Sequence, residues 1–162
     1  MRKKISAGFI VFRRSEQNSS DSDIEVLITH FGGPYFADKD EGSWVIPRGE
    51  VEEGEDIYQT AIRELQEETG IVLADDVKPL SLGFAEEKHK ITHAWAVESN
   101  LPHDTEFICE SMVTLEWPPK SGKTVTFPES DKTEFVDIDT ARNKLRPALL
   151  ILVDRLIEHL NL

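Results

Sequence analysis

The segment from Gly49 to Ile71, GEVEEGEDIYQTAIRELQEETGI, constrains this chain more than any other stretch, because it encodes a helix with two marked ends and two chemically opposed faces. Asp56 follows Gly54 and stands three residues before Gln59, a variant of the capping box. Gly70 supplies the residue that most readily takes the left-handed turn at a helix end. The spacing therefore predicts a helix over about 57–69. At ~100° per residue, Tyr58, Ala61, Ile62 and Leu65 form an apolar stripe, whereas Glu64, Glu67 and Glu68 project within an arc of roughly 100°. The stripe is expected to anchor the helix on a sheet while the acidic face points away.

Like charges at spacings of three and four destabilise a helix by a few tenths of a kcal/mol per pair, and the macrodipole disfavours anions near a C-terminus. A bound hard cation would compensate, and Mg²⁺ takes oxygen ligands from one or two carboxylates, water and phosphate oxygens. A merely solvated acidic face is the commoner outcome for surface charge clusters, and on these three residues alone it stays open.

Elsewhere the chain alternates strand and helix signals. Residues 5–12 and 24–29 are β-prone and flank the polar stretch 15–23, which predicts a hairpin with a flexible tip. Residues 31–43 read as a loop, and 44–46 as a short extended piece stopped by Pro47. Strands are expected over 78–86, 91–97, 112–116 and 135–138, with a turn at 88–90 and a loop over 117–122. Asp139 is expected to cap a short helix, and Pro147 to begin a last helix reaching about Leu160. This interspersion predicts an α/β fold, a mixed sheet with helices against it, in a single domain over 1–162.

With 39% hydrophobic and 30% charged residues, the composition is that of an ordinary soluble globular protein, and no run approaches the ~20 apolar residues of a membrane span. The basic start 1–4 precedes too short an apolar run for a signal peptide and reads as the lead into a first strand. Cys109 is the only cysteine, so a reducing, cytoplasmic setting is the simplest expectation, and packing is its commoner role. A net charge of −13 argues against long nucleic acid as a partner and leaves small phosphate esters screened by divalent cations. The apolar run 148–153 suits core packing and also dimerisation, so monomer and homodimer both remain open.

Residues 49–71 resemble the signature of the Nudix hydrolase family, G-x5-E-x7-R-E-U-x-E-E-x-G-U with U aliphatic, at Gly49, Glu55, Arg63, Glu64, Leu65, Glu67, Glu68, Gly70 and Ile71. Seven fixed identities at fixed spacing would arise by chance on the order of once in 10⁸ starts, which outweighs the solvated-face reading. SAGFIVF, WVIPRGE and EFVDIDTAR look like the same family, so the resemblance covers most of the chain. HFGGPYFADKDEGSWVIPRGE, HAWAVE and EWPPKSG followed by FPE look most like a bacterial branch predicted to be NTP pyrophosphohydrolases.

The resemblance implies a Nudix-type mixed sheet sandwiched between helices. It implies a metal site using Mg²⁺, with Mn²⁺ as an alternative, in which Glu64, Glu67, Glu68 and the Gly49 carbonyl are ligands and Glu55 pairs with Arg63. Phosphoanhydride hydrolysis of a nucleotide is the implied activity. A dinucleoside polyphosphate hydrolase is the nearest rival, and a non-catalytic nucleotide-sensing or protein-binding module is the alternative of another class. Glu64 is a candidate general base. Glu129 is either a further ligand or a loop glutamate, with Glu86 and Glu87 as alternatives to it. Arg48 is either a phosphate contact or an exposed loop cation. Trp95 either stacks on a nucleobase or packs within the sheet, and His93 reads as a hydrogen-bonded strand residue. The loops 31–42 and 117–127 are candidates to cover the substrate.

Overall fold

The computed structural model describes residues 2–15 and 24–162. Apart from Ser15, the hairpin tip expected over 15–23 lies outside these residues, as does Met1. The central strand β1, Lys4–Arg14, alternates in a way that divides the molecule into layers. Ala7, Phe9 and Val11 point to one face and Ile10 and Phe12 to the other, and all five are buried.

Around β1 lies a mixed sheet. β2 (Ile24–Phe31) pairs antiparallel with the end of β1, and its other edge pairs along its length with a late strand, Ser130–Asp137. β3 (Trp44–Val45) and β4 (Arg48–Glu50) fill the gap where β1 and β2 part, β3 against β2 and β4 against β1. Gly8 allows this, since a Cβ there would stand 2.3 Å from the Pro47 carbonyl oxygen. α1 (Ile57–Thr69) follows, then β5 (Leu80–Glu86) and β6 (Lys90–Glu98). β6 runs parallel to β1 and carries β5 on its outer edge.

The bounds of α1 agree with the sequence expectation. Asp56 accepts from the Gln59 N–H, and Gly70 closes the helix at φ 84° while donating to the Gln66 carbonyl. Ala61 and Leu65 are fully buried on the face of β1 that carries Phe9. Truncating Leu65 to alanine leaves a hole that neither sheet nor helix can close, so we expect a loss of ~2–5 kcal/mol in chemical denaturation. A loss under ~1 kcal/mol would mean that α1 is not anchored through this stripe.

Three expectations are corrected downstream. Residues 112–116 form β7 (Met112–Glu116), but it leaves the main sheet and pairs with β8 (Thr124–Pro128), a strand the sequence reading placed within a loop. β8 is short and half exposed, so no buried alternation marks it; its β-branched TVT run was the available signal. The last strand, β9 (Ser130–Asp137), begins five residues earlier than expected because it pairs with β2 from Glu25 to Phe31. Asp137 rather than Asp139 caps α2 (Ile138–Lys144), accepting from the Thr140 N–H at 2.7 Å.

Pro147 opens a 3₁₀ turn, Pro147–Leu149, and α3 begins at Leu150 and ends at His159. Leu149, Leu152 and Val153 are buried beside Ile10, Ala94 and Ala96, so the 148–153 run serves the core of this face. Helices thus cover both faces of the sheet, α1 on one and α2 with α3 on the other. No helix among the described residues is long and apolar enough to cross a membrane.

Candidate functional site

β4 runs past the acidic face of α1, and this crossing builds the site. The Arg48 main-chain N–H donates to Glu68 Oε2 at 2.7 Å. A Cβ at Gly49 would stand 1.9 Å from Glu64 Cδ, so only glycine leaves room for that carboxylate. The Gly49 carbonyl accepts from Ser6 Oγ at 3.0 Å, which ties the segment to β1.

Glu129 arrives from the junction of β8 and β9. Its carboxylate accepts from Ser111 Oγ at 2.7 Å, its N–H donates to the Ser111 carbonyl, and its own carbonyl accepts from the Gly32 N–H. One oxygen each from Glu64, Glu68 and Glu129 then lie within 4.8 Å of one another. The acidic face is therefore covered rather than solvated. Glu64 is 8% and Glu68 4% exposed, because β4 and the Glu129 segment wrap over that side of α1. Glu67 lies outside this triad; its half-exposed carboxylate accepts from Arg63 Nη1 at 3.2 Å.

Arg63 braces the approach to the helix. Its Nε and Nη2 donate to the two oxygens of Glu55 at 2.8 and 3.0 Å, the fork geometry suited to guanidinium, and Nη1 donates to Glu64 at 2.9 Å. These hydrogen bonds hold the Glu55 carboxyl down at about 2. Gly70 acts at a distance from the carboxylates, as the stop of α1.

Burial works the other way at the triad. It pushes Glu64 from an ordinary 4.5 up to about 7 against the pull of Arg63, with Glu67 and Glu129 adding repulsion. It raises Glu68 well above the ordinary carboxylate range, with Glu129 and Glu64 adding to the effect. Both contributions to folding are complete below about 4.5 and are lost as pH rises through the folded-state values. Metal-free protein is accordingly expected to lose thermal stability between pH 5 and pH 8, and Mg²⁺ to raise Tm more at pH 8 than at pH 5. Equal Mg²⁺ shifts at both pH values would separate the ion from these carboxylates.

The triad opens into a cavity of about 330 Å³ that also reaches Glu52 and Lys90. Beside it, between the 31–36 segment and the β7–β8 hairpin, lies a larger cavity of about 550 Å³. Phe31 and Glu129 line both. The two loops singled out from sequence thus enclose real space, although the aromatic residues within them carried no signal that they would meet.

Other candidates are placed differently. The Arg48 guanidinium is buried, donating to Glu87 and to Thr92 Oγ1, and Glu87 is shared with Arg146. It is not an exposed loop cation: it is paired with Glu87 and lines the triad's cavity together with Gly49, Glu64 and Glu68. Trp95 packs against Tyr58 and Phe9 beneath α1 and lines neither cavity, so the structure places it in the core contact rather than beside the triad. Glu86 pairs with Lys3, His93 meets the Phe84 ring at a tilt, and Cys109 donates its thiol to the Ser111 carbonyl.

A mixed sheet between helices, with a Gly-approached glutamate cluster on one of them, defines a class, and comparison with known proteins identifies it. The NUDIX domain profile matches residues 2–150, and the chain belongs to that family. Nudix hydrolase 7 of Arabidopsis thaliana is 36% identical over 77 residues, 48% of this chain and 24% of that protein. An RNA pyrophosphohydrolase of Novosphingobium aromaticivorans is 44% identical over 41 residues, 25% of this chain and 26% of that protein. The chain thus spans about a quarter of the length of these curated relatives. The crystal structure of a C. elegans Ap4A hydrolase binary complex superposes with a TM-score of 0.62 at 22% identity, covering 98% of each chain, which establishes the shared fold.

Proposed function

We propose that this protein hydrolyses a phosphoanhydride bond in a nucleoside-diphosphate-type substrate, most nearly as a nucleoside-triphosphate pyrophosphohydrolase that releases a monophosphate and pyrophosphate. The observation carrying this reading is the approach of Glu64, Glu68 and Glu129 within 4.8 Å in a largely buried setting. Buried like charges at this separation resist simultaneous ionisation, and an oxygen-seeking divalent cation offsets that resistance. The donor set fits Mg²⁺, or Mn²⁺ in its place: the three side-chain donors are all carboxylate oxygens.

In this reading Glu64, Glu68 and Glu129 hold the ion, with Glu67 and the Gly49 carbonyl completing the set. The ion, when bound, would supply charge neutralisation at phosphate oxygens and a lowered pKa for a water. The chain's own residues supply position. The Arg48 N–H fixes Glu68, the Arg63–Glu55 fork steadies the loop before α1, and Ser111 holds Glu129. Glu64 in its ionised form is the candidate to accept a proton from the attacking water.

The test is incubation of the purified protein with nucleoside triphosphates, dinucleoside polyphosphates and nucleotide sugars, with and without Mg²⁺, and identification of the products. Metal-dependent release of a monophosphate is the expected result. A dinucleoside polyphosphate as the preferred substrate changes the leaving group and keeps the site. Folded protein that cleaves no member of the panel overturns the hydrolase reading in favour of a nucleotide-sensing or protein-binding module.

A further inference from the structure

β9 does not run evenly along β2. From Glu25 opposite Asp137 to His30 opposite Lys132 the two strands stay in step, and the pairing then shifts so that Phe31 stands opposite Ser130. Asp131 is the extra residue, a β-bulge. Without it, the ladder would set Phe31 opposite Asp131 and Gly32 opposite Ser130. With it, Gly32 meets Glu129, and the Gly32 N–H donates to the Glu129 carbonyl at 2.9 Å. A one-residue offset exchanges the faces to which successive side chains point, and a bulge beside a functional site re-aims a side chain in this way.

His30 holds the extra residue in place. Its ring is 2% exposed; Nδ1 shares a hydrogen bond with Asp131 Oδ1 at 2.7 Å, and Nε2 donates to the Lys39 carbonyl. Trp44 packs against the ring with centroids 5.1 Å apart, and is itself held by its indole N–H, which donates to Asp40 at 2.7 Å. The ring is thus fixed on Lys39 and Trp44, and the bulge is fixed on the ring. Gly32 completes the arrangement: a Cβ there would stand 2.0 Å from the Pro128 carbonyl oxygen, so only glycine lets the residue before Glu129 come this close. Neither His30 nor Asp131 lines the cavity at the triad, so any effect on the site passes through Glu129.

We infer that His30 and Asp131 are positioning residues: the hydrogen bond between them pins the bulge that brings Glu129 to Glu64 and Glu68. The inference deepens the metal-dependent hydrolase reading and rests on it for the part that Glu129 plays. Glu129 has further ties, since Ser111 binds its N–H and its carboxylate while Gly32 binds its carbonyl. Those ties hold it only in the register that the bulge sets, because Gly32 meets Glu129 only after the extra residue. A purely stabilising role for the buried imidazole is the alternative, and that role makes no link to a bound ion.

Mg²⁺ binding by calorimetry tests the link without turnover. The Asp131 side chain is 34% exposed, so Asp131→Ala should fold. Its Mg²⁺ affinity should fall by roughly tenfold or more, the scale of losing a residue behind a metal ligand. Asp131→Asn keeps an atom able to share the His30 hydrogen bond and should recover most of that affinity. His30→Gln is the second variant: its amide can still donate to the Lys39 carbonyl while Asp131 loses its partner, and the same loss is expected. In a Glu129→Gln background, Asp131→Ala should cost no further Mg²⁺ affinity, since a positioning residue acts only through the residue it positions. Amide exchange followed by NMR reads the bulge directly. The Gly32 N–H should exchange at least ~10-fold faster in Asp131→Ala, with the Phe9 N–H, bonded to the Pro47 carbonyl, unchanged. If no phosphoanhydride is cleaved but these changes are seen, the hydrolase reading fails and the pinned bulge stands. Unchanged Mg²⁺ affinity in Asp131→Ala or in Glu129→Gln, equal losses from Asp131→Ala with and without Glu129, or unaltered Gly32 exchange would each overturn the inference.

Discussion

Glu68→Gln is expected to lower metal-dependent turnover by more than ~100-fold while raising the melting temperature of the metal-free protein at pH 8. Changes behind a metal ligand alone cost roughly 10–100-fold, so loss of a buried ligand should exceed that range. The stability gain has a separate origin. Burial holds the Glu68 carboxyl well above its ordinary range, so its contribution to folding falls as pH rises from about 4.5 towards the folded-state value. Glutamine has no charge to titrate and retains an oxygen to accept from the Arg48 N–H. The Tm difference between variant and wild type should therefore widen from pH 5 to pH 8 and shrink when Mg²⁺ is added. A variant with near-normal turnover, or one whose metal-free Tm falls at pH 8, would remove Glu68 from the proposed site. Glu67→Gln is expected to lose turnover without the same stability gain, since Glu67 is half exposed and bonded to Arg63.

The second large effect concerns a residue with no side chain. Gly49→Ala places a methyl group 1.9 Å from Glu64 Cδ, a distance neither group tolerates. β4 has little room to retreat, because Gly49 is in register with Ala7 on β1 and its carbonyl is bound by Ser6. The Glu64 carboxylate should yield instead. Displacements of about 1 Å at a reacting centre can cost ~100-fold, and we expect a loss of that order together with weaker Mg²⁺ binding by calorimetry. Gly42→Ala is the matched control. It too replaces a glycine, at φ +70°, but its Cβ would meet nothing within 4 Å. That variant should lose some stability through backbone strain and keep its Mg²⁺ affinity. Comparable losses of Mg²⁺ affinity in both variants would mean that the close approach to Glu64 has no special role.

Much of the helix was legible before any coordinates. Asp56, Gly70 and the stripe containing Ala61 and Leu65 are local signals, read from neighbours within one or two turns, and α1 has the bounds they imply. The central strand showed itself by the β-prone run ISAGFIVF. The late part of the chain was read less well for the converse reason. β8 is half exposed and owes its existence to pairing with β7, while β9 extends as far as β2 provides a partner, and neither fact is written in the local pattern.

The candidate site divides along the same line. The spacing of Gly49, Glu55, Arg63, Glu64, Glu67 and Glu68 by itself determined the family resemblance, the capped helix and the carboxylates sharing its face, because helical geometry converts spacing directly into direction. Only the tertiary structure decided that Glu129 meets Glu64 and Glu68 while Glu67 stands outside the triad. It alone decided that Arg48 turns inward to Glu87, and that Phe36 and Trp117 face a common cavity. Those outcomes depend on contacts between segments dozens of residues apart, where packing and the burial of charge choose among partners that the sequence leaves equivalent.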